Sequence, residues 1–485
     1  MKVNTAMIKD IAIKQKQESL YSFTILKKEN IDRFIDAIKP LDDWKLYRMN
    51  PIAFAKDNNF SSNESIELFI HGSKVGLFDL RFNMVCPMCG GVASSHENLN
   101  QVEAKDFYCA TCNASIESTL DDRVEVNFAI HPSIKKIEID PTSNAETYLG
   151  YHFSHNFNRS PELQNYGSEN LFGFKSLKSD ESIDLELNPS VSNIFQLICI
   201  EKNSNVFIHY NDENAASHPH VDLLSTGFSP RKMNLSFNTK TISIHNRSKE
   251  HLAFTIITPK LDKLNSIMRD YPTKVQPYFT AKMLLNNQSF RDLYRTQDLS
   301  SDLSLNIKSL TIMFTDLRGS TEMYDRAGDI LAYQLVQEHF KILMETVRKY
   351  SGTVVKTMGD AIMATFSKPE DGLLTSLEMM LKIESLNGKW RQKGYEIGLK
   401  VGIHEGSALA VVNDERLDYF GHSVNVAARV QGLAKAGEVW ITDKIFSNLN
   451  VVQMLKERNL LLEKNKAILK GVGEEATVYK LTVAV

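Results

Sequence analysis

Two pairs of cysteines place the strongest constraint on how this chain can fold. The pairs are Cys86-Pro-Met-Cys89 and Cys109-Ala-Thr-Cys112, with 19 residues between them. One CxxC pair supplies half of a tetrahedral metal site, and two pairs at this separation are typical of a four-thiolate zinc site. Because four thiolates leave no open position for a substrate, we expect these cysteines to bind one structural Zn²⁺. A redox CxxC and two disulfides are the competing interpretations.

The composition indicates a globular chain of several domains. The chain has 485 residues, of which 42% are hydrophobic, and a typical domain holds ~150 residues. The formal net charge of −3 does not favour a general nucleic-acid or membrane-surface binder. The sequence contains no apolar run of the ~18 residues that span a bilayer, and its N-terminus has no apolar signal core. We therefore expect a cytoplasmic protein without a membrane partner.

The first 123 residues are predicted to form a basic arm, at 1–27, and a helical region that holds the cysteine pairs (86–112), at 28–123. The order of two helices and a strand at 51–82 could suit a winged helix-turn-helix. However, its second helix presents Glu64 and Glu67, whereas a DNA-reading helix usually carries Arg, Lys, Asn or Gln. We therefore expect this region to pack or to bind a partner other than nucleic acid.

Residues 124–260 change to short segments in which apolar and polar residues alternate. Seven or eight such segments, among them VEVNFAI and ETYLGYHF, are separated by turn residues and predict a β-sandwich, which we expect to be regulatory. Residues 261–305 are predicted to be a helical connector. A last domain, at 306–485, follows the connector.

Two carboxylates in the last domain indicate a phosphate site that uses metal ions. The strand LTIMFT ends at Asp316, which can bind a cation. In the turn and helix start that follow, the backbone N–H groups of Gly319, Ser320 and Thr321 can bind phosphate oxygens. The second carboxylate is Asp360, in a Met-Gly-Asp turn between two apolar strands. Two carboxylates at loop tips are what two-metal phosphoryl transfer requires, although Asp also favours helix caps and turns for structural reasons alone.

Three motifs of this last domain resemble the class III nucleotidyl cyclase family, and its Lys/Asp adenylate cyclase type in particular. They are FTDLRGST, the KTMGD turn and the segment from DYFG to NVAAR, and the likeness runs from about Leu310 to Leu481. The resemblance implies a multidomain α+β chain whose C-terminal α/β domain has a ferredoxin-like core. It also implies that two catalytic domains pair head to tail in a homodimer, with both contributing to each active site.

The resemblance also assigns the metal and phosphate contacts. Asp316 and Asp360 of one subunit, with the backbone of Leu317, would bind two Mg²⁺ or Mn²⁺ per active site. Lys470 is a further candidate for a phosphate contact, by likeness to the terminal lysine of the family.

The other subunit would read the base through Lys356 and Asp418. Adenine offers an acceptor at its ring nitrogen and a donor at its exocyclic amine, so its site needs one donor and one acceptor. A guanine site would want a carboxylate in place of Lys356 and a small donor in place of Asp418. We therefore expect an adenylate cyclase in intracellular signalling, which converts ATP to 3′,5′-cyclic AMP and pyrophosphate. A guanylate cyclase and a non-catalytic nucleotide-binding scaffold are the alternatives.

The last two assigned residues lie four positions apart on one predicted helix. By the resemblance, Asn425 would orient the ribose and Arg429 would stabilise charge on the α-phosphate. The chain departs from the family pattern nearby, with His422 where many relatives have Asp and Phe420 where a larger aromatic residue is frequent. Neither departure removes a predicted contact.

The upstream half resembles an uncharacterised N-terminal region found in bacterial cyclases. The likeness covers roughly residues 45–260, in segments such as LYRMNPIAFAK and YCATCNASI, and the cysteine pairs are its firmest part. It implies a bacterial protein whose upstream half regulates the catalytic domain.

Overall fold

The computed structural model describes residues 10–102, 107–116, 123–294, 304–318, 329–413, 416–469 and 475–482. The chain is a multidomain α/β protein that divides into two compact units, the first extending to Phe279 and the second beginning at Thr280. Among the described helices, none has both the length and the apolar character needed to cross a bilayer.

The first unit opens with five helices around an aromatic core. They are α1 (Asp10–Leu20), α2 (Lys28–Ile38), α3 (Asp43–Tyr47), α4 (Pro51–Asp57) and α5 (Ser62–Lys74). Helix α1 lies inside the segment predicted as a basic arm. It packs against the rest of the unit because Ile13 and Leu20 are fully buried, while Lys14 stays exposed. Phe34 packs edge-on against Phe54 and Phe69, which ties α2 to α4 and α5.

Helix α5, the second helix of the predicted helix-turn-helix, is a core element. Ser61 and Glu64 form a capping box at its N-terminus, and the side chains from Ser65 to Gly72 are buried, with Glu67 only 8% exposed. A recognition helix must expose one face to a groove, and the buried stretch of α5 offers none.

A small sheet and a zinc-ribbon-like hairpin follow the helices. Strands β1 (Phe78–Val85), β2 (Val92–His96) and β5 (Val124–Ile130) form an antiparallel sheet in the order β2-β1-β5. Between β2 and β5, β3 (Phe107–Cys109) and β4 (Ala114–Ile116) form a separate hairpin. The CxxC pairs lie at the β1–β2 and β3–β4 turns.

The rest of the first unit is the predicted β-sandwich with its flanking elements. Its two sheets have the orders β13-β10-β9-β15-β7 and β12-β11-β14-β8, and inward residues such as Phe195, Leu223 and Phe254 fill one core. The elements are α6 (Ala145–His152), β6 (Phe157–Asn158), α7 (Pro161–Asn170), β7 (Leu171–Leu177), β8 (Ser182–Glu186), β9 (Ile194–Cys199), β10 (Ser204–Tyr210), β11 (His220–Leu224), β12 (Gly227–Ser229), β13 (Lys232–Leu235), β14 (Thr241–Asn246), β15 (Leu252–Ile257), α8 (Leu261–Asp270) and β16 (Lys274–Val275).

One predicted strand of this region is a helix. The segment ETYLGYHF forms α6, because the side chain of Asn144 accepts a hydrogen bond from the Thr147 backbone and so caps a helix start. Tyr148 and His152, four residues apart, are its buried residues, which is helical and not strand spacing.

The second unit is built on one long sheet in the order β18-β19-β17-β20-β22-β24-β23, with β21 paired to β20. Its elements are α9 (Ala281–Leu285), α10 (Gln288–Leu293), β17 (Ser304–Arg318), α11 (Asp329–Lys349), β18 (Thr353–Met358), β19 (Ala361–Phe366), α12 (Pro369–Trp390), β20 (Gly398–Asn413), β21 (Arg416–Phe420), α13 (His422–Gln431), β22 (Glu438–Thr442), α14 (Asp443–Phe446), α15 (Leu449–Glu457), β23 (Glu463–Ile468) and β24 (Glu475–Thr482).

Helices cover both faces of this sheet. Val439 and Ile441 of β22 pack into the core shared with α11 and α12, whereas Trp440 between them packs with α13. Since successive residues of a strand point to opposite faces, α13 lies on the face opposite α11 and α12. The candidate site lies at the strand ends on the face of the sheet that α13 covers.

Candidate active site and metal centre

The two predicted metal-binding carboxylates lie at the same end of neighbouring strands. β17 pairs antiparallel with β19, with Phe314 opposite Met363, and the Ile362 backbone donates to Thr315 Oγ1 at 3.1 Å. Continuing this register by two residues leads from Phe314 to Asp316 on one strand and from Met363 towards the Gly359-Asp360 turn on the other. The sheet therefore places Asp316 and Asp360 at the same end of β17 and β19.

Asp360 is held by a tight turn with one carboxylate oxygen unpaired. Gly359 has φ of +64°, a conformation that favours glycine, and Met358 pairs with Ala361 across the two-residue turn. The Asp360 Oδ2 atom is buried and has no hydrogen-bond partner in the described structure. A buried carboxylate oxygen without a partner is costly, so this group suits a cation ligand.

Asp316 forms an ion pair with Lys400, a residue that the sequence motifs did not indicate. The two residues are direct neighbours across β17 and β20, and Lys400 Nζ lies 2.6 Å from Asp316 Oδ2. A lysine in the otherwise apolar strand IGLKVGI is the signal that could have identified it, since buried strands rarely carry an unpaired charge. A divalent ion bound at Asp316 would repel this ammonium group and free it for an anion.

The two predicted base-reading residues meet within one chain. Lys356 Nζ of β18 lies 2.7 Å from Asp418 Oδ2 of β21, and the other carboxylate oxygen of Asp418 accepts a hydrogen bond from the Tyr419 backbone at 2.8 Å. Burial raises the pKa of the neighbouring Tyr419 hydroxyl, so it stays protonated. Asp418 is nearly buried while Lys356 is partly exposed. The Lys356 ammonium group, a donor, and the Asp418 carboxylate, an acceptor, therefore lie side by side, with Lys356 on the solvent side.

Asn425 and Arg429 lie on the exposed face of α13. Neither side chain forms a hydrogen bond or ion pair within the described part of the chain, whereas Val426 and Val430 are buried. The helix can lie flat on β20 because of two glycines. A Cβ at Gly402 would come within 2.1 Å of the Gln431 backbone, and one at Gly406 within 2.2 Å of Ser423 Oγ.

Four predicted phosphate contacts, Gly319, Ser320, Thr321 and Lys470, lie outside the described residues. Leu317, predicted to contribute its backbone, is a buried residue of β17. In the described structure, no hydrogen bond or ion pair links Asn425 or Arg429 to the carboxylates of Asp316 and Asp360. The structure thus pairs Lys356 with Asp418 and places Asp316 and Asp360 at the same end of neighbouring strands, and no hydrogen bond or ion pair links the two pairs among the described residues.

The four cysteines of the CxxC pairs form a single cluster in the first unit. The Sγ atoms of Cys86 and Cys112 lie 3.8 Å apart, as do those of Cys89 and Cys109, and all four lie within 4.8 Å of one another. These distances are well beyond the ~2 Å of a disulfide bond. They match the edge of about 3.8 Å of a tetrahedron of sulfurs with Zn–S bonds of about 2.3 Å. The donor set therefore fits a four-coordinate metal ion.

Polar side chains of the sandwich fasten the β3–β4 hairpin that carries half of this cluster. The Ala110 backbone donates to Asn203 Oδ1 at 2.9 Å, and its carbonyl accepts from Asn205 Nδ2 at 2.7 Å and Gln196 Nε2 at 3.3 Å. The hairpin with Cys109 and Cys112 is thus attached to the sandwich.

Two family models match the chain. One, described as a family of unknown function (DUF5939), matches residues 16–292, more than half of the chain. The other, described as the adenylate and guanylate cyclase catalytic domain, matches residues 304–482. The second description includes cyclases that act on adenine nucleotides and cyclases that act on guanine nucleotides.

Curated relatives match over the second region at modest identity. An adenylate cyclase of Anabaena cylindrica is 27% identical over 187 residues, covering 36% of this chain and 37% of the relative. Adenylate cyclase 2 of Rhizobium meliloti is 26% identical over 183 residues, covering 35% and 49%. An adenylate cyclase of Lachancea kluyveri is 26% identical over 187 residues, covering 34% and 10%. The chain therefore spans less than half the length of each of these relatives.

Solved structures of cyclase domains are also similar. The adenylyl cyclase CyaB from P. aeruginosa is 22% identical, with a TM-score of 0.33, covering 38% of this chain and 97% of that chain. The guanylate cyclase domain of RhGC from Catenaria anguillulae, solved with GTP, is 19% identical, with a TM-score of 0.32, covering 37% and 99%.

Proposed function

The chain belongs to the family of unknown function DUF5939 and carries a class III nucleotidyl cyclase domain at residues 304–482, and from this premise we propose that it is an adenylate cyclase. It converts ATP to 3′,5′-cyclic AMP and pyrophosphate at active sites shared by two copies of the chain.

The ion pair of Lys356 and Asp418 carries the choice of ATP. Its ammonium group is a donor and its carboxylate an acceptor, and the two lie side by side, 2.7 Å apart. Lys356 donates to the ring nitrogen and Asp418 accepts from the amine, whereas guanine would face each group with the wrong partner. Leaving a buried polar group mispaired costs ~1–3 kcal/mol, so the pair discriminates strongly against GTP.

Asp316 and Asp360 would hold two divalent cations, Mg²⁺ or Mn²⁺. When bound, these ions activate the ribose 3′-hydroxyl and neutralise the triphosphate. The chain's own residues supply the rest: Lys400, displaced from Asp316, donates to phosphate oxygens. Charge that develops at the α-phosphate is stabilised by a guanidinium group, and Arg429 provides it.

The second copy of the chain supplies Arg429 and Asn425. Both project from α13 without partners of their own in the described structure, as expected of groups that complete a site on another subunit. Leu409 and Phe420, an exposed cross-strand pair of apolar side chains on β20 and β21, lie next to Asp418. We assign this exposed pair to the homodimer interface, because exposed apolar side chains beside a shared site are typical of interaction surfaces.

The cysteine cluster would hold one structural Zn²⁺. Its four thiolates complete the coordination sphere and leave no position for substrate. Metal analysis of the purified protein should return one zinc per chain, and the Cys109→Ser variant should lose it.

The direct test is incubation of the purified protein with each of the four nucleoside triphosphates and Mn²⁺ or Mg²⁺, followed by identification of the cyclic product. We expect 3′,5′-cyclic AMP from ATP, and none from an Asp316→Ala control that remains folded. Cyclic GMP as the main product would overturn the assignment of the base. No product from any triphosphate would favour the non-catalytic scaffold.

A further inference from the structure

The two short helices that open the second unit are fastened to the catalytic sheet through side chains. This segment, residues 280–293, lies within the predicted connector and begins where the first unit ends. Its polar contacts reach two strands and a helix: Lys282 Nζ donates to the Ser309 carbonyl of β17 (2.9 Å), Thr365 Oγ1 of β19 donates to Asn286 Oδ1 (2.6 Å), and Arg348 of α11 pairs with Asp292 (3.0 Å). The segment is therefore an integral part of the catalytic unit.

Gln288 fixes the strand that carries Lys356. β18 is an edge strand of the sheet, and its register against β19 shifts between Val354 and Lys356. Gln288 Oε1 accepts hydrogen bonds from the Val354 backbone and from Thr353 Oγ1, both at 2.9 Å. An edge strand otherwise presents unpaired N–H groups, so Gln288 holds β18 at the irregularity that immediately precedes Lys356.

Arg291 fixes the strand that carries Asp418. Its Nη2 atom donates to the Leu417 carbonyl, and its guanidinium carbon lies 5.8 Å from the centre of the Tyr419 ring. The Tyr419 hydroxyl donates in turn to the Leu285 carbonyl of α9, at 3.4 Å. The segment therefore contacts the residues on both sides of Asp418.

The charge on Arg291 also acts on Asp418. Burial lowers the pKa of Arg291, and the nearby Tyr419 and Asp418 oppose this shift. A guanidinium group remains charged even so. Its positive charge lies close to the Asp418 carboxylate, which is a hydrogen-bond acceptor of the kind that the exocyclic amine of adenine requires.

We propose that Arg291 and Gln288 are positioning residues for base recognition, which hold the strands of Asp418 and Lys356 so that the two side chains lie side by side. Through them, the segment that precedes the cyclase domain sets the discrimination between ATP and GTP. This inference rests on the proposed function, because it assigns a role in the same site.

The test compares full-length Arg291→Ala and Gln288→Leu with the wild-type protein and with Arg391→Ala. Arg391 is a matched control because it forms exposed ion pairs with Glu384 and Glu396 in the same unit. For the two positioning variants, we expect the KM for ATP to rise about tenfold and the ratio of kcat/KM for ATP over GTP to fall about tenfold, because Arg291→Ala loses a charge-assisted hydrogen bond and Gln288→Leu loses two neutral ones. The kcat for ATP should change much less. Arg291→Lys, which keeps a donor, should recover part of the ratio.

Melting temperatures show whether each variant folds, and Gln288→Leu decides the question if Arg291→Ala does not fold. A folded variant with the wild-type ATP-to-GTP ratio, or one that loses kcat alone, would overturn the inference. Equilibrium binding of ATP and GTP with Mn²⁺ is measured beside turnover. Wild-type protein that binds ATP but makes no cyclic product would refute the proposed function. The ratio of the ATP and GTP affinities of each variant would still test the roles of Arg291 and Gln288. Wild-type protein that binds neither nucleotide would refute both.

Discussion

Two ion pairs hold the charged side chains of the catalytic unit before a nucleotide binds. Lys400 pairs with Asp316 at 2.6 Å, and Lys356 pairs with Asp418 at 2.7 Å. In each pair the carboxylate is a group to which we have assigned a metal or base contact. Under this assignment, ligand binding would exchange the internal partner of each carboxylate for an external one.

Replacement of Lys400 by Met should separate its two roles. We expect kcat/KM for ATP to fall by about ten- to a hundredfold, because a charge-assisted contact to phosphate is lost. The Mn²⁺ concentration for half-maximal activity should fall as well, because no ammonium group competes for Asp316. Turnover against ATP concentration gives kcat/KM, and turnover against Mn²⁺ concentration at saturating ATP gives the metal dependence. The control is Lys466→Met, which removes an exposed ion pair between Lys466 of β23 and Glu475 of β24. An unchanged kcat/KM would show that Lys400 does not reach the phosphates.

At the scale of elements, features set by neighbouring residues could be predicted from the sequence, whereas contacts between residues distant in sequence could not. The β-sandwich and the Met-Gly-Asp hairpin were predictable because alternation and turn residues lie within a few positions of each other. The role of Lys400 was not, since its partner lies 84 positions away in sequence. Helix α6 contains tyrosines, which favour strands, but the N-cap of Asn144 and the four-residue spacing of its buried residues make it a helix.

The connector shows the same limit. The helices at 281–293 were predictable from their periodicity, but their attachment to the sheet depends on Gln288 and Arg291 finding backbone groups of β18 and β21. Such contacts have no sequence signature. Conversely, Lys356 and Asp418 were assigned together through the family resemblance, and the structure places their charged groups 2.7 Å apart, while their role in reading the base stays a prediction.

Helix α11 carries a buried histidine that should make the cyclase unit sensitive to acid. Burial lowers the pKa of His339 to about 4, below its usual value, so the unfolded chain binds a proton more readily and folding loses stability as the pH falls from about 6.5 towards 4. Between pH 7 and 4.5 we expect the stability of the wild-type protein to fall by about 2 kcal/mol relative to His339→Leu. Urea unfolding of both proteins at the two pH values measures this difference. A difference that does not vary with pH would contradict it.

At the scale of the whole molecule, the boundary between the two units defines where the chain can be cut. A protein that begins at Thr280 keeps the segment with Gln288 and Arg291, whereas one that begins at residue 299 lacks it. We expect the longer protein to retain the ATP-to-GTP ratio of the full chain and the shorter one to lose about tenfold of it. Kinetics of both, with dimerisation checked by sedimentation, provide the comparison. Equal ratios would show that the segment is dispensable for base reading.

The same pair of proteins tests regulation by the upstream half. Because a site shared by two subunits is sensitive to small rotations, removal of residues 1–279 should change kcat even where the base preference is kept. A Thr280 protein that is dimeric and has the kcat of the full chain would count against regulation by the first unit.

If each active site combines metal carboxylates from one chain with Arg429 from another, two inactive variants should complement each other in a mixed dimer. Asp316→Ala and Arg429→Ala should each be inactive alone. When the two are co-expressed and pair at random, half of the dimers are mixed and each mixed dimer has one intact site, so about one quarter of wild-type cyclic AMP production should return. Mixed dimers that form but stay inactive would contradict the account.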